Sequence, residues 1–249
     1  MNEHGFIRSV SLLRDKVESF DCYPFNIPAI RQLETLNLDP KVTFFVGENG
    51  SGKSTLLEAI AVAAGMNAEG GGKNFRFSSR ETQSQLHRAL RVTRSARRPR
   101  SDYFLRAESF YNVVSTVDDL GVVEGYGGTS LHQMSHGESF LALVNNRFFP
   151  GGLYLLDEPE AALSPKRQLS LLTAIDELVR TGSQLLIATH SPIILAYPHA
   201  KIFHLDQEGM KISEYEQLEH QWLTKDFLNN RERYLRHLIG PVSLNNEKK

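Results

Sequence analysis

The fold is decided by KVTFFVGENGSGKSTLLEAIAVAAG, residues 41–65. Its first six residues, KVTFFV (41–46), form a β-rich apolar run that stops at Gly47, so they read as a buried strand. STLLEAIAVAAG (54–65) is helix-periodic and closes on Gly65, a C-cap candidate. Between them Gly47, Glu48, Asn49, Gly50, Ser51, Gly52, Lys53, Ser54 and Thr55 match G-x-x-x-x-G-K-[ST] without a mismatch. The flanking strand and helix are the context that motif needs. Glycines let backbone N–H groups curl around a β-phosphate, and the helix N-terminus adds its positive dipole. Lys53 is placed to bridge β- and γ-phosphates, and the Ser54 hydroxyl to ligate Mg²⁺.

Further along, GLYLLDEP (152–159) is a second apolar run, and it leaves the sheet on two acids. Ligands of α/β sheets sit at the carboxyl ends of strands. Asp157 is therefore expected to partner Mg²⁺ through water, and Glu158 to orient and deprotonate an attacking water. QLLIATH (184–190) reads as a third buried strand, ending on His190. Beside a bound nucleotide that histidine is a donor for γ-phosphate and attacking water.

SHGESFLALVNN (135–146) opens a helix. Ser135 and Glu138 have the spacing of a capping box. With no side chain at Gly137, the same N-terminus is also a candidate second anion site. Ser164 and Pro165 suit an N-cap and first helical position, Leu169, Leu172, Ile175 and Leu178 follow at helix spacing, and Gly182 ends the pattern. KIFHLD (201–206) and KISEYE (211–216) predict a hairpin, and 217–239 two amphipathic helices. Strands alternating with helices imply an α/β sheet, parallel at its centre.

The bulk composition excludes several classes. A chain of 249 residues with 41% hydrophobic and 23% charged residues is ample for a globular core. The single cysteine, Cys22, rules out an internal disulfide or a Cys-rich metal site and fits a reducing, cytoplasmic setting. Charges interrupt the first fifteen residues, unlike a signal peptide, and no apolar run reaches membrane-span length, so no direct membrane insertion is expected. Net charge is −1, yet Lys73, Arg76, Arg80, Arg88, Arg91, Arg94, Arg97, Arg98, Arg100 and Arg106 crowd residues 73–106, with only Glu81 and Asp102 as acids. Two readings stand for that stretch. One is a nucleic-acid or other polyanion surface; the other is a solvated face or a docking face for an acidic protein partner.

Taken in order, the phosphate loop, SHGES, LYLLDEP, AALSP and ATH resemble the motifs of ABC-class ATPases. The chain is similar to small stand-alone bacterial AAA/ABC-like ATPases with GENGSGKST, RAESF, SHGES and LDEPEAALSP, relatives of the heads of chromosome-maintenance and break-repair ATPases. The likeness spans about residues 42–192. It implies an α/β P-loop NTPase of ABC ATPase type, with a mostly parallel central sheet, flanking helices and a small helical subdomain. Residues 1–249 would be one domain, with 66–150 as the helical and signature subdomain and 217–239 as C-terminal helices. The cofactors implied are ATP and Mg²⁺. MSHGE (134–138) corresponds to the signature LSGGQ, with His136 for its first glycine and Glu138 for its glutamine. Ala162, Leu163 and Ser164 fall in the D-loop, His190 matches the switch histidine, and Glu158 the catalytic glutamate.

The family holds two ATP molecules between two head-to-tail domains. By that likeness Ser135 and Gly137 would serve the ATP of a homodimer partner. The chain departs from the family at the Q-loop, where RAESF (106–110) offers Glu108 in place of glutamine, and no adenine-stacking aromatic stands out beyond Tyr23 and Phe25. The function expected is an ATPase whose closure acts on nucleic acid or a partner protein. The alternatives are the nucleotide-binding subunit of a transporter and a nucleotide-gated sensor with little turnover.

Overall fold

The structure is a computed structural model that describes residues 5–68, 70–71, 84–107, 110 and 134–240. Among the described residues nine strands lie in two sheets. β1 (Ile7–Leu12), β2 (Thr35–Asn37) and β4 (Leu90–Arg94) make a small antiparallel sheet in the order β2-β1-β4. The main sheet has the order β5-β6-β7-β3-β8-β9. Its strands are β3 (Val42–Gly47), β5 (Asp102–Arg106), β6 (Leu153–Asp157), β7 (Gln184–Ala188), β8 (Lys201–Asp206) and β9 (Gly209–Ser213). All its neighbours run parallel except the β8–β9 hairpin. The mixed α/β class and mostly parallel sheet read from the sequence are both present.

The full burial of β3 has a simple cause: both sheet faces are covered. Phe45 joins a core with Leu56, Leu57 and Ile60 of helix α1 (Lys53–Ala63). Val42, Phe44 and Val46 point the other way, toward α2 (His136–Arg147) and α3 (Pro165–Arg180). Gln184 ties the two sheets together: its side chain accepts from Ile7 N–H (2.9 Å) and donates to the carbonyls of Ile7 and Asp39 (both 2.9 Å).

Both helix stops read from glycines are present. Gly65 and Gly182 adopt φ of 91° and 85°, the left-handed region where a side chain is costly. The next N–H bonds back, Met66 to Ala61 and Ser183 to Leu178, each at 2.9 Å, as a Schellman end requires. Helix α3 starts at Pro165 after Ser164, whose side chain makes no capping bond. Its buried stripe is Gln168, Leu171, Ile175 and Leu178, whereas Leu169 is 57% exposed. The spacing pointed to Leu169 and Leu172, one position off the buried face at the helix start. The final helices, α4 (Glu219–Asn229) and α5 (Arg231–Ile239), occur within the expected 217–239. The hairpin also forms, but its second arm, β9, starts and ends earlier than the expected 211–216, and Tyr215–Gln217 turn into a 3-10 helix.

Candidate functional site

The parallel register sets three strand ends side by side. Ala188 of β7 is level with Phe45 of β3 on one side and Asp157 of β6 on the other. The loop after β3, the acids after β6 and His190 after β7 therefore emerge together at one edge of the sheet.

Glu48, Asn49 and Gly50 are exposed, whereas Gly52 and Lys53 are buried. Gly50 and Gly52 take φ of 82° and 97°, and a Cβ on Gly52 would lie 2.9 Å from the Ile27 side chain. Glycine at position 52 is thus demanded both by its backbone angle and by close packing. The Lys53 ammonium donates to the carbonyls of Gly47 (2.8 Å) and Glu48 (3.0 Å), folding back over the loop mouth. Burial pushes its pKa down, while the Glu158, Asp157 and Glu160 carboxylates pull it back. Glu158 is the nearest ion-pair partner at 3.9 Å.

Asp157 is 5% exposed. Burial raises its carboxyl to about 6, against the lowering effect of Arg106, the Ser54 hydroxyl and Lys53. Its Oδ1 is buried without a hydrogen-bond partner, as is the Ser51 Oγ inside the phosphate loop. Buried polar atoms are rarely left so. A cation at Asp157 and Ser54, and a phosphate within the loop, would satisfy both, so the donor set fits Mg²⁺ with a nucleoside polyphosphate. Glu158 is one of two non-glycine residues with positive φ (49°, ψ 51°) among those described. Its N–H is held by the Ala188 carbonyl at 2.9 Å. A strained backbone of this kind, fixed by the neighbouring strand, turns the side chain out of the strand direction.

A cleft of about 330 Å³ is lined by Ser54, Ala107, His136, Asp157, Glu158, Ala161 and Ala162. It brings the phosphate-loop helix, the acids and the first residue of α2 together within one chain. Ser135 is exposed. The reach-back half of the expected capping box is plain: Glu138 Oε2 accepts from the Ser135 N–H (3.0 Å) and hydroxyl (2.6 Å). Gly137 is buried beneath its own chain, where a Cβ would meet Arg167 Cδ at 2.7 Å and the Ala162 carbonyl at 3.1 Å.

Several residues at this edge gave little signal in the sequence. Glu160 accepts the His190 N–H at 2.8 Å and so holds the turn after β7. His220, on the first turn of α4, stacks on His190 with ring centroids 6.2 Å apart. Burial, followed by the His190 ring, pushes its pKa down. Arg167 bridges to Glu138 at 2.8 Å. A carboxylate or histidine brought in by tertiary packing has no local motif, so no spacing rule could have found these.

The two aromatic candidates separate. Phe25 is buried in the core, while Tyr23 is exposed with its hydroxyl 3.2 Å from Thr55 Oγ1. Glu108 lies outside the described residues, as do Lys73, Arg76 and Arg80 of the basic stretch. The rest of that stretch forms a short helix (Leu86–Ala89) that carries Arg88, then β4, an edge strand, and the connection into β5. Arg94 and Arg97 donate to the Ala63 and Gly182 carbonyls, at 3.3 and 3.1 Å, at the ends of α1 and α3. That is the favoured place for a cation at a helix terminus. Arg8, Arg91, Arg98 and Arg100 are exposed.

Comparison with known proteins agrees with this geometry. An AAA domain family model matches residues 16–115, and a second, "AAA domain, putative AbiEii toxin, Type IV TA system", matches 120–196. No curated protein sequence matches. Among solved structures, an ABC transporter described as of metal-chelate type, in an inward-facing conformation, aligns with TM-score 0.51 and 18% identity, over 88% of this chain and 87% of that one. The SMC head domain from Thermotoga maritima aligns with TM-score 0.46 and 14% identity, over 84% and 98%. CbiO1 from Clostridium perfringens aligns with TM-score 0.49 and 16% identity, over 84% and 91%. The alignment at TM-score 0.51, with the mostly parallel sheet, makes the fold that of the P-loop ABC ATPases. The AAA-domain matches support an ATP-binding ATPase. No helix among the described residues is long and apolar enough to cross a membrane.

Proposed function

We propose that this chain binds ATP with Mg²⁺ and hydrolyses it at the edge formed by β3, β6 and β7, in a cytoplasmic head-to-tail homodimer. The observation that carries the reading is the convergence of a buried loop lysine, an unpartnered buried Asp157 oxygen and the outturned Glu158. Loop N–H groups and Lys53 hold the phosphates. Ser54 and Asp157 would hold Mg²⁺, which would supply positive charge against the phosphates. Glu158 orients the attacking water and accepts its proton, and His190, held by Glu160, faces the γ-phosphate. Tyr23, exposed beside Thr55, is the aromatic placed to stack on the base.

The homodimer reading rests on exposure. Glu48, Asn49 and Gly50 on one side and Ser135 on the other present uncovered faces that a second chain would close over. Ser135→Arg is expected to leave ATP binding to the monomer within a few-fold of wild type and to cut turnover at least tenfold. Gly137→Arg is a poorer probe, because its side chain would strike Arg167 within the chain. Unchanged hydrolysis by Ser135→Arg would remove this residue from the site.

Exposed guanidinium groups favour a polyanion partner such as duplex DNA. Arg91 and Arg98 lie on and just beyond an edge strand, in a run from Ser84 to Ser101 that contains no acid. Arg91→Glu with Arg98→Glu is expected to weaken duplex DNA binding at least tenfold. It should also lower the slope of log affinity against log salt by about one to two. Equal affinity and slope would leave these arginines to a protein partner or to solvent.

A further inference from the structure

Arg106 ends β5, and the strand ladder sets it directly beside Asp157 at the end of β6. Its Nε lies 3.5 Å from Asp157 Oδ2. Its Nη1 donates to Glu58 Oε2 at 2.8 Å and lies 3.5 Å from the Ala68 carbonyl oxygen. Glu58 stands one turn beyond Ser54 on α1. One guanidinium thus joins the helix that carries Ser54 to the strand that carries Asp157. The three side chains are 19%, 13% and 6% exposed for Arg106, Glu58 and Asp157, so water screens the cluster weakly. The guanidinium lies against Oδ2, whereas Oδ1 is buried without a hydrogen-bond partner.

We propose that Arg106 is a positioning residue for the metal: anchored by Glu58, it holds one oxygen of Asp157 and sets how strongly the other draws Mg²⁺. This rests on the reading of Ser54 and Asp157 as the metal-binding pair. An arginine stays charged under all ordinary conditions, so it is a permanent rival to the metal for the Asp157 charge. Glu58 draws part of that charge away. The two partners therefore act in opposite directions. Without the Glu58 charge, the guanidinium is undivided on Asp157 and Mg²⁺ binds more weakly. Without Arg106, Mg²⁺ becomes the main counter-charge at Asp157 and binds more tightly, to a carboxylate no longer held in position. Outer partners of this kind commonly move metal affinity by about 10–100-fold.

The test is calorimetric titration of Mg²⁺ into the full chain with a non-hydrolysable ATP analogue, together with melting of the nucleotide-free protein. Glu58→Gln is expected to raise the Mg²⁺ midpoint about tenfold. Arg106→Met alone strands the buried Asp157 and the half-buried Glu58 carboxylates and could fail to fold. Glu58→Gln with Arg106→Met removes both charges and is expected to lower the midpoint below wild type. A lower melting temperature with an unmoved midpoint in both variants would make the cluster a structural tie only and overturn the proposal. Asp157→Asn is the control for the underlying reading. If it leaves Mg²⁺ binding unchanged, the metal pair is wrong; if it abolishes binding while the other variants leave the midpoint in place, only the role of Arg106 fails.

Discussion

Glu158→Gln should bind ATP at least as tightly as the native chain and turn it over about 10²–10³-fold more slowly. Glutamine preserves the shape and can keep the positive-φ backbone, which Ala188 and not the side chain holds. What it loses is the ability to take a proton from water. It also loses a negative charge 3.9 Å from the Lys53 ammonium. That charge repels an incoming γ-phosphate, so its removal favours binding even as it stops the chemistry. The effects on binding and turnover therefore part company, unlike those of a loop mutation, which would lose both. Single-turnover hydrolysis and analogue binding would show the split. A native rate would mean that another group accepts the proton.

Asp157→Asn is the second large effect, and its sign is unusual. The carboxyl is raised from 3.8 to about 6. Between those two values the folded protein holds a proton that the unfolded chain has lost. Stability therefore falls as pH rises through that window, and the full cost is present above about pH 6. Two units correspond to about 3 kcal/mol. At pH 8 the nucleotide-free Asn variant should accordingly melt several degrees above the native protein, while at pH 4 the two should nearly coincide. Mg²⁺ with nucleotide should stabilise the native protein strongly and the variant weakly, because the cation is what the buried charge lacks. A variant less stable than native at pH 8 would contradict the burial argument.

The features legible in the sequence are those with a local cause. The phosphate loop, the two glycine helix stops, the buried strands and the acids at Asp157 and Glu158 each follow from neighbours within a few residues, and the structure has the loop and the acids at one sheet edge. The opening antiparallel sheet was less clear. β1 and β2 are short, and the second partner of β1, β4, lies far along the chain inside an arginine run that reads equally well as a helix face. The same limit hid Glu58, Arg106, Glu160 and His220 as site residues. Their roles come from register and packing between distant segments, and a lone charged residue carries no period to betray it. For Gly137 the structure supplies a reason the motif did not: close approach of Arg167 and the Ala162 carbonyl.

The central claim is a nucleotide site shared between two chains, and His136 on the rim of its own chain's cleft sharpens the question. Mixing Lys53→Ala with Ser135→Arg tests it most directly. Each variant alone should be inactive. In a shared site, their mixed dimer keeps one intact combination, the phosphate loop of the Ser135→Arg chain with the Ser135 of its Lys53→Ala partner. Mixing should then restore up to roughly a quarter of native turnover, since half the dimers are mixed and each carries one good site of two. Two inactive variants that stay inactive when mixed, while still forming dimers, would contradict the shared site and assign Ser135 to the nucleotide of its own chain.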